Sequence, residues 1–195
     1  MKKIALVALL LSMVVASSAF AAGGAFGVNG GMAKATGDIG DLLKMGFQAG
    51  AFGEYAINEQ GSIGVGVDFV KLGVDWGELA DEVEAAGIKS GLTIIPITLY
   101  SKWTPVMQSS IAPYVVGGGG FYLVKFKTTV DGQEVTELGY SENKPGFFLG
   151  AGVDYKVNPS IKIGVFGKFH DILTEGESTM FFHGGLNASF GVASK

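Results

Sequence analysis

Apolar and polar residues alternate along most of this chain, in stretches that are long for β-strands. Eight stretches are predicted as strands, at residues 24–36, 45–57, 62–73, 91–103, 111–126, 145–157, 160–171 and 179–191. Each has about 11–16 residues, against about 5–6 in an ordinary soluble sheet. A tilted strand needs only about 9–11 residues to cross the apolar core of a bilayer. Every predicted strand is therefore long enough to span a membrane.

Residues 46–69 and 146–169 are two copies of one hairpin. They align without a gap at an offset of 100, with identical residues at ten of 24 positions. Each copy has two alternating stretches joined by a tight turn, and Glu54 of the first copy corresponds to Asp154 of the second. The repeat predicts that two parts of the sheet are built alike.

The predicted connections alternate in length. Those after the second, fourth and sixth strands are short, at residues 58–61, 104–110 and 158–159, and the others are mostly longer, at 37–44, 74–90, 127–144 and 172–178. Short turns at one end and longer loops at the other are typical of bacterial outer-membrane barrels, whose turns face the periplasm. The pattern predicts an all-β, eight-stranded, antiparallel, up-and-down transmembrane β-barrel with both termini in the periplasm.

The alternation also fits a soluble β-sandwich with one wet face. In that fold the apolar residues would point inward and the charges outward. The barrel reverses the faces, with apolar residues against lipid and the polar set enclosed, and its closure removes the unpaired strand edge that lipid could not satisfy. We favour the barrel because the strands are so long and follow a secretory leader.

That leader is residues 1–21. Lys2 and Lys3 form its charged start, an apolar run from Ile4 to Ala16 follows, and Ala19 and Ala21 are the small residues of a cleavage site. We expect a signal peptide at 1–21 and a barrel domain at 22–195. The alternative is an uncleaved anchor, but the apolar run is short for a membrane helix.

Composition excludes several classes of protein. The chain has no arginine and a net charge of −4, which disfavours a nucleic-acid-binding surface. It has no cysteine, so disulfides and thiolate chemistry are absent. Its 32 glycines lie largely inside the alternating stretches, where they permit the sharp curvature of a small closed barrel.

Four segments resemble the small outer-membrane β-barrel domain family, which includes OmpA-like, OmpX-like and opacity-type proteins. They are GAFGEYAI at 50–57, PYVVGGGGFYL at 113–123, GFFLGAGVDYKVN at 146–158 and FFHGGLNASFG at 181–191. The resemblance implies an eight-stranded barrel in the outer membrane of a diderm bacterium. It implies as partners the outer-membrane lipid and lipopolysaccharide and, during biogenesis, the barrel-assembly machinery and periplasmic chaperones. The family's closing aromatic residue corresponds to Phe190, here followed by five residues.

Two groups of side chains are candidates for special roles. The predicted inward polar set is Glu54, Asp68, Lys102, Asp154, Lys162, Lys168, His170 and His183. Enclosed charges must pair, so we expect an ion-pair plug, with a narrow gated conduit as the alternative because inward glycines could leave gaps. The predicted interfacial aromatics, at the periplasmic strand ends, are Tyr55, Trp103 and Tyr155.

Three functions follow from these features. The leading hypothesis is a structural or surface-interaction role in the envelope, and the alternative is a narrow channel for small or apolar solutes. A lipid A-modifying enzyme is the third, built on His170, Asp171 and His183 with Glu177 and Ser178, but Ser178 and His183 do not lie on one face of one strand and no oxyanion motif is present. We expect no catalytic, cofactor or metal site. Residues 74–90 are predicted to form a short amphipathic helix.

Overall fold

One antiparallel sheet contains all the strands of the described residues in this computed structural model. The described residues are 24–37, 40, 42–74, 77, 88–130, 133–134, 139–174 and 179–191. The predicted signal peptide and most of the predicted helix at 74–90 lie outside them. No helix within the described part of the chain has the length and apolar character to span a bilayer.

Eight strands are long and one is very short. The long strands are β1 (Gly24–Thr36), β2 (Gly46–Ala56), β3 (Gly61–Gly73), β4 (Ile88–Trp103), β5 (Ile111–Val130), β7 (Tyr140–Asn158), β8 (Ile161–Ile172) and β9 (Thr179–Gly191). The short one, β6 (Gln133–Glu134), pairs only with the end of β5. We call the end of the sheet that holds the short connections the turn end, and the other the loop end.

The eight long strands close into a barrel. Each pairs with its neighbour in the chain, β1 pairs with β9, and the pairing of β4 with β5 completes the ring. Following paired residues around the ring leads from Phe26 on β1 back to Thr36 on β1, a shear of ten residues. The predicted eight-stranded antiparallel barrel is confirmed.

Three strands extend further toward the loop end than predicted. The sequence places β5 as far as residue 126 and starts β7 at residue 145, because the apolar alternation weakens there. In the structure β5 continues to Val130, which pairs with Ile88 of β4. The other strand, β7, begins at Tyr140 opposite Phe126, and the two rings stack with centroids 5.9 Å apart. Likewise β4 begins at Ile88 rather than residue 91. The backbone ladder continues where side-chain alternation no longer marks it, because its hydrogen bonds do not require apolar side chains.

Successive side chains alternate between an exposed outer face and a buried interior. Leu149 is 67% exposed and its neighbour Phe148 only 1%. The same holds for Leu186 outside and Phe181 inside. A water-soluble sheet would expose its polar face instead, so this arrangement places apolar side chains where lipid would contact them.

The two copies of the repeat fold alike. Every pair between β2 and β3 recurs between β7 and β8 at an offset of 100, as in Tyr55 opposite Ile63 and Tyr155 opposite Ile163. Their turns also match, since the side chains of Asn58 and Asn158 each accept two backbone N–H bonds from the residues two and three positions later.

Pro96 interrupts the sheet next to the interior charges. Its side chain is fully buried, as its inward position on β4 predicts. Pairing between β3 and β4 is present at Val67–Ile97 and Val70–Ile94 but missing between them. A proline has no N–H to donate to the ladder, and the gap lies beside Asp68, whose carboxylate takes its partners from the barrel interior.

Candidate functional site

A three-residue ion cluster lies in the interior near the turn end. The Lys102 Nζ atom on β4 lies 3.0 Å from Asp154 Oδ2 and 3.5 Å from Glu54 Oε2. The Tyr100 hydroxyl donates a hydrogen bond of 3.1 Å to Glu54, and the Lys102 ammonium sits 4.0 Å from the ring centroid of Tyr114. Two acids at equivalent positions of the repeat therefore share one lysine.

A second ion pair lies further along the interior. Lys168 Nζ is 3.8 Å from Asp68 Oδ2, and these two residues also occupy equivalent positions of the repeat. Gln48 donates one hydrogen bond of 3.0 Å to Asp68 and another to Asn29. The Lys168 ammonium also lies 5.3 and 5.5 Å from the centroids of two phenylalanine rings. Asp68 is almost fully buried, so these partners offset much of the cost of enclosing its charge.

Two histidines contact each other beyond that pair. The Nε2 atoms of His170 and His183 are 2.8 Å apart, and the Tyr122 hydroxyl lies 2.9 Å from His170 Nδ1. A hydrogen bond between two Nε2 atoms requires one donor and one acceptor, so a single proton is shared. The His170 ring is stacked between Phe148 and Phe181, with centroids 5.0 and 4.5 Å away.

This geometry does not resemble a catalytic triad. His170 is buried in the interior, whereas Asp171 takes the next, outward position on β8 and cannot orient it. His183 Nδ1 has no hydrogen-bond partner among the described residues. Glu177 and Ser178, the other members of the enzyme hypothesis, lie outside them. The described residues also contain no group of three or more His, Asp or Glu side chains that could hold a metal ion.

Apolar side chains fill the interior toward the loop end. We call this group the loop-side plug; its buried members are Ala33, Ala35, Val70, Leu72, Leu92, Ile94, Tyr122, Val124, Ile172 and Phe181. Six of the eight long strands contribute to it, from opposite sides of the ring, so it spans the cross-section of the barrel. Packed side chains of this kind leave few voids large enough for water.

A small cavity lies between the two ion groups. Its volume is about 30 Å³, and its lining includes Asn29, Glu54, Lys102, Lys168 and Asn187. A single water needs about 10–15 Å³ on this measure. The cavity therefore has room for about two waters among polar groups able to bind them.

The structure does not place every predicted residue in this interior network. Lys162 occupies an inward-pointing position in the alternation of β8 but lies beside the turn, where its side chain is exposed. Its assignment to the interior network is wrong, because the barrel ends at that level. Tyr55, Trp103 and Tyr155 lie at the turn ends of three strands, half exposed on the outer surface.

Several uncharged polar residues also belong to the interior and were not predicted from the sequence. They are Asn29, Gln48, Tyr100, Tyr114, Tyr122 and Asn187. Each occupies an inward-pointing position of its strand, so alternation was the signal that could have identified them. Two of them donate hydrogen bonds to the buried acids, Gln48 to Asp68 and Tyr100 to Glu54.

Comparisons with known proteins agree on one architecture. The model of the family described as outer membrane protein beta-barrel domain matches residues 6–191. No curated protein sequence matches this chain. The structure of Neisserial surface protein A has a TM-score of 0.60 and 16% identity, covering 86% of this chain and 96% of that one.

Two further solved structures show the same likeness. Ail, the attachment invasion locus protein of Yersinia pestis, solved with the heparin analogue sucrose octasulfate, has a TM-score of 0.57 and 15% identity over 87% of this chain and 99% of its own. The N-terminal β-barrel domain of Pseudomonas aeruginosa OprF has a TM-score of 0.54 and 11% identity over 87% and 98%. At such low identity the likeness shows the fold alone.

Proposed function

The chain belongs to the outer membrane protein β-barrel domain family, and from that premise we propose that it is a closed barrel with a structural and surface-interaction role in the bacterial envelope. Family membership indicates an outer-membrane location. The proposed parts are that the interior does not conduct, that the turn end faces the periplasm, and that the role is structural. In this function the barrel anchors the protein in the membrane and presents its four loop-end connections to the outside.

The loop-side plug carries the proposal. A pore needs a continuous water-filled path, whereas here buried apolar side chains from six strands occupy the cross-section. The Lys102 cluster lies across the interior at the other end, with its lysine bonded to acids from two opposite walls. An eight-stranded barrel is just wide enough to be filled by side chains. Both features favour a filled barrel over a conduit.

The proposed orientation places the turn end and both termini in the periplasm. The described connections at the turn end are short, at residues 57–60, 104–110 and 159–160, as in outer-membrane barrels of known topology. The half-exposed Tyr55, Trp103 and Tyr155 would then lie at the periplasmic membrane boundary, where amphipathic aromatic residues are favoured.

Conductance in planar bilayers tests whether the interior is blocked. The purified wild-type barrel is expected to give no discrete openings. A variant with the plug reduced, Ile94→Ala with Phe181→Ala, serves as the positive control, since it removes two fully buried side chains. Wild-type openings whose conductance changes with Asp68→Asn or Lys168→Gln would instead support a narrow channel.

The lipid A-modifying alternative has its own test. Lipid A is extracted from cells with and without the gene and compared by mass spectrometry. The proposed function predicts identical profiles, and a change of acyl-chain number that depends on His183 would overturn it.

A further inference from the structure

The outer faces of the two repeat copies differ at four of their ten outward positions, which are 49 and 149, 53 and 153, 67 and 167, and 71 and 171. Two of these differences are opposite in kind. Ala49 is replaced by the larger Leu149, and Lys71 is replaced by Asp171. The first copy therefore presents a small residue and a cation where the second presents a large residue and an anion.

Lys71 and Asp171 both face outward near the loop end, and neither forms an ion pair with another described residue. The Oδ1 atom of Asp171 is covered and has no hydrogen-bond partner among these residues. A covered carboxylate is costly unless a cation or a donor compensates it. Three other lysines near the loop end, Lys44, Lys125 and Lys127, each have an interaction within the chain. Lys71 and Asp171 are thus opposite charges that lack a counter-ion in the described part of their own barrel.

The small residues near Lys71 form a hollow in the outer surface. Gly30 on β1 pairs with Ala49 on β2, and both face outward. A Cβ atom added at Gly30 would lie 3.7 Å from the nearest atom beyond its chain neighbours, so the site has open space. Larger exposed side chains surround the two residues: Met32, Phe69 and Leu186. On the other hairpin Leu149 projects outward with 67% of its surface exposed.

The register places equivalent outward residues on opposite walls at about the same depth. Four steps around the ring through paired residues lead from Ala51 on β2 to Pro145 on β7. Such a path climbs by half the shear over half the ring, which is 10/2 = 5 residues here. Gly150 therefore lies at the height of Ala51, one residue from the equivalent Ala151.

Two copies that stand side by side in the same orientation bring these opposite walls together. Strand number, shear and spacing give an ideal cylinder with a strand tilt of about 41° and a backbone radius of about 8 Å. When Lys71 of one such cylinder faces Asp171 of the next, their heights agree within about 3 Å. Leu149 then faces the hollow between Gly30 and Ala49, again within about 3 Å in height. The charge match and the size match thus occur in one arrangement.

We propose that copies of this chain associate side by side in the membrane, with Leu149 of one copy in the hollow at Gly30 and Ala49 of the next, and with Asp171 paired with Lys71. The contact joins two different surfaces that point in opposite directions, so it repeats as an open row and does not close into a ring. It needs all copies to insert in one orientation but does not depend on which end faces the periplasm. A single blocked barrel would still fulfil the proposed function if this contact were absent.

Crosslinking between copies tests the proposal, because the chain has no cysteine of its own. On the same cylinders Phe69 of one copy faces Phe147 of the next at about one height. Membranes that contain Phe69→Cys with Phe147→Cys are treated with a short bis-maleimide and analysed on a denaturing gel, where we expect a ladder of dimers, trimers and larger products. Either single variant should stay monomeric, and the two single variants expressed together should stop at dimers. Dimers of one single variant alone would show a two-fold contact and overturn the proposal.

A matched cysteine pair on the same hairpins measures random collision. Val65→Cys with Val165→Cys lies on equivalent outward positions, about a quarter turn away from the proposed contact on each barrel. This pair should give few crosslinked products under the same conditions. Equal ladders from the two pairs would overturn the proposal, and so would the absence of a ladder from the first pair.

Two further changes in the Phe69 and Phe147 cysteine variant test the hollow and the ion pair separately. Gly30→Leu fills the hollow and should abolish the ladder. Asp171→Lys sets two lysines against each other and should lower crosslinking about fivefold, the equivalent of about 1 kcal/mol for an exposed ion pair, and adding Lys71→Asp should restore it. Crosslinking that is unaltered by either change, or not restored by the charge exchange, would overturn the proposal. A heat-dependent gel shift confirms that each variant is folded.

Discussion

The hairpins β2–β3 and β7–β8 share one register and one turn geometry, yet their interior side chains differ in a regular way. In the first hairpin Phe52 pairs with Gly66, and at the equivalent place in the second Gly152 pairs with Phe166. Asp68 of the first is likewise replaced by Lys168 in the second. Their outer faces keep the same apolar character, with Val65 and Val165 both exposed.

The ring order explains why the interiors differ. Two strands separate the hairpins on each side, β4 and β5 on one and β9 and β1 on the other, so the hairpins face each other across the barrel. Identical inward side chains would therefore place like charges opposite each other across the interior. Replacing Asp68 by Lys168 converts a repulsion into an ion pair of 3.8 Å. The outer faces do not meet across the barrel and need no such complement.

Glu54 and Asp154 are the positions where the repeat kept like charges. Their repulsion is relieved by Lys102, which comes from β4, outside both hairpins. A duplicated hairpin can thus form opposite walls of one barrel in two ways. Either a charged residue of one copy is replaced by a residue of opposite charge in the other, or a strand outside both hairpins supplies the counter-charge.

Removing that counter-charge should have the largest effect. Lys102→Met leaves two largely buried acids facing each other without a cation, and breaking a buried ion pair costs about 3–5 kcal/mol. The free energy of unfolding is measured by urea titration of the barrel in lipid vesicles. Adding Glu54→Gln and Asp154→Asn should restore most of the loss. A single-variant loss below about 1 kcal/mol would contradict the role of Lys102.

The outer faces should respond alike where the interiors do not. Val65→Arg and Val165→Arg each place a charge at mid-depth on the lipid side, which costs about 2–4 kcal/mol. Because the two valines occupy equivalent outward positions, the losses should agree within about 1 kcal/mol. The same vesicle titration measures both. One large loss and one near zero would show that one hairpin is not facing lipid.

The exchanged pair should show a smaller coupling. In a double-mutant cycle of Asp68→Asn and Lys168→Met, contacting charged residues interact by about 0.5–3 kcal/mol. We expect the lower half of that range because 3.8 Å is long for a salt bridge and Gln48 also bonds Asp68. Additive losses would show that Gln48 alone satisfies the carboxylate.

Much of this fold follows from alternation alone. Parity assigns Glu54, Asp68 and Asp154 to the interior face of their strands, and turn residues such as Asn58 mark where the hairpins reverse. Those are local properties that a single strand or turn determines. The bounds of β5 and β7 were less predictable, since their loop-end residues pair through backbone groups after the apolar pattern fades.

The partners inside the barrel could not be predicted in the same way. These contacts depend on which strands face each other and on the shear. Examples are the contacts of Lys102 with Glu54 and Asp154, and that of His170 with His183. These are properties of the closed ring, which no single strand encodes. Gln48, an uncharged member, has an inward position that alternation predicts, but its partners Asn29 and Asp68 lie on the two neighbouring strands.

The smallest effect is expected at Lys162, where the strand alternation predicts a buried side chain but the position near the turn leaves it exposed. Its position on β8 points inward, yet it lies beside the turn with an exposed side chain, so water rather than a carboxylate solvates its charge. Lys162→Gln should change the free energy of unfolding by less than about 0.5 kcal/mol, as at other surface sites. Lys168, six residues along the same face, provides the contrast, since Lys168→Gln removes the partner of Asp68. If Lys162→Gln proved as costly as Lys168→Gln in the same vesicle titration, the ionic network would have to extend to the turn-end mouth of the barrel. Depth would then no longer separate structural from solvated charges on one strand.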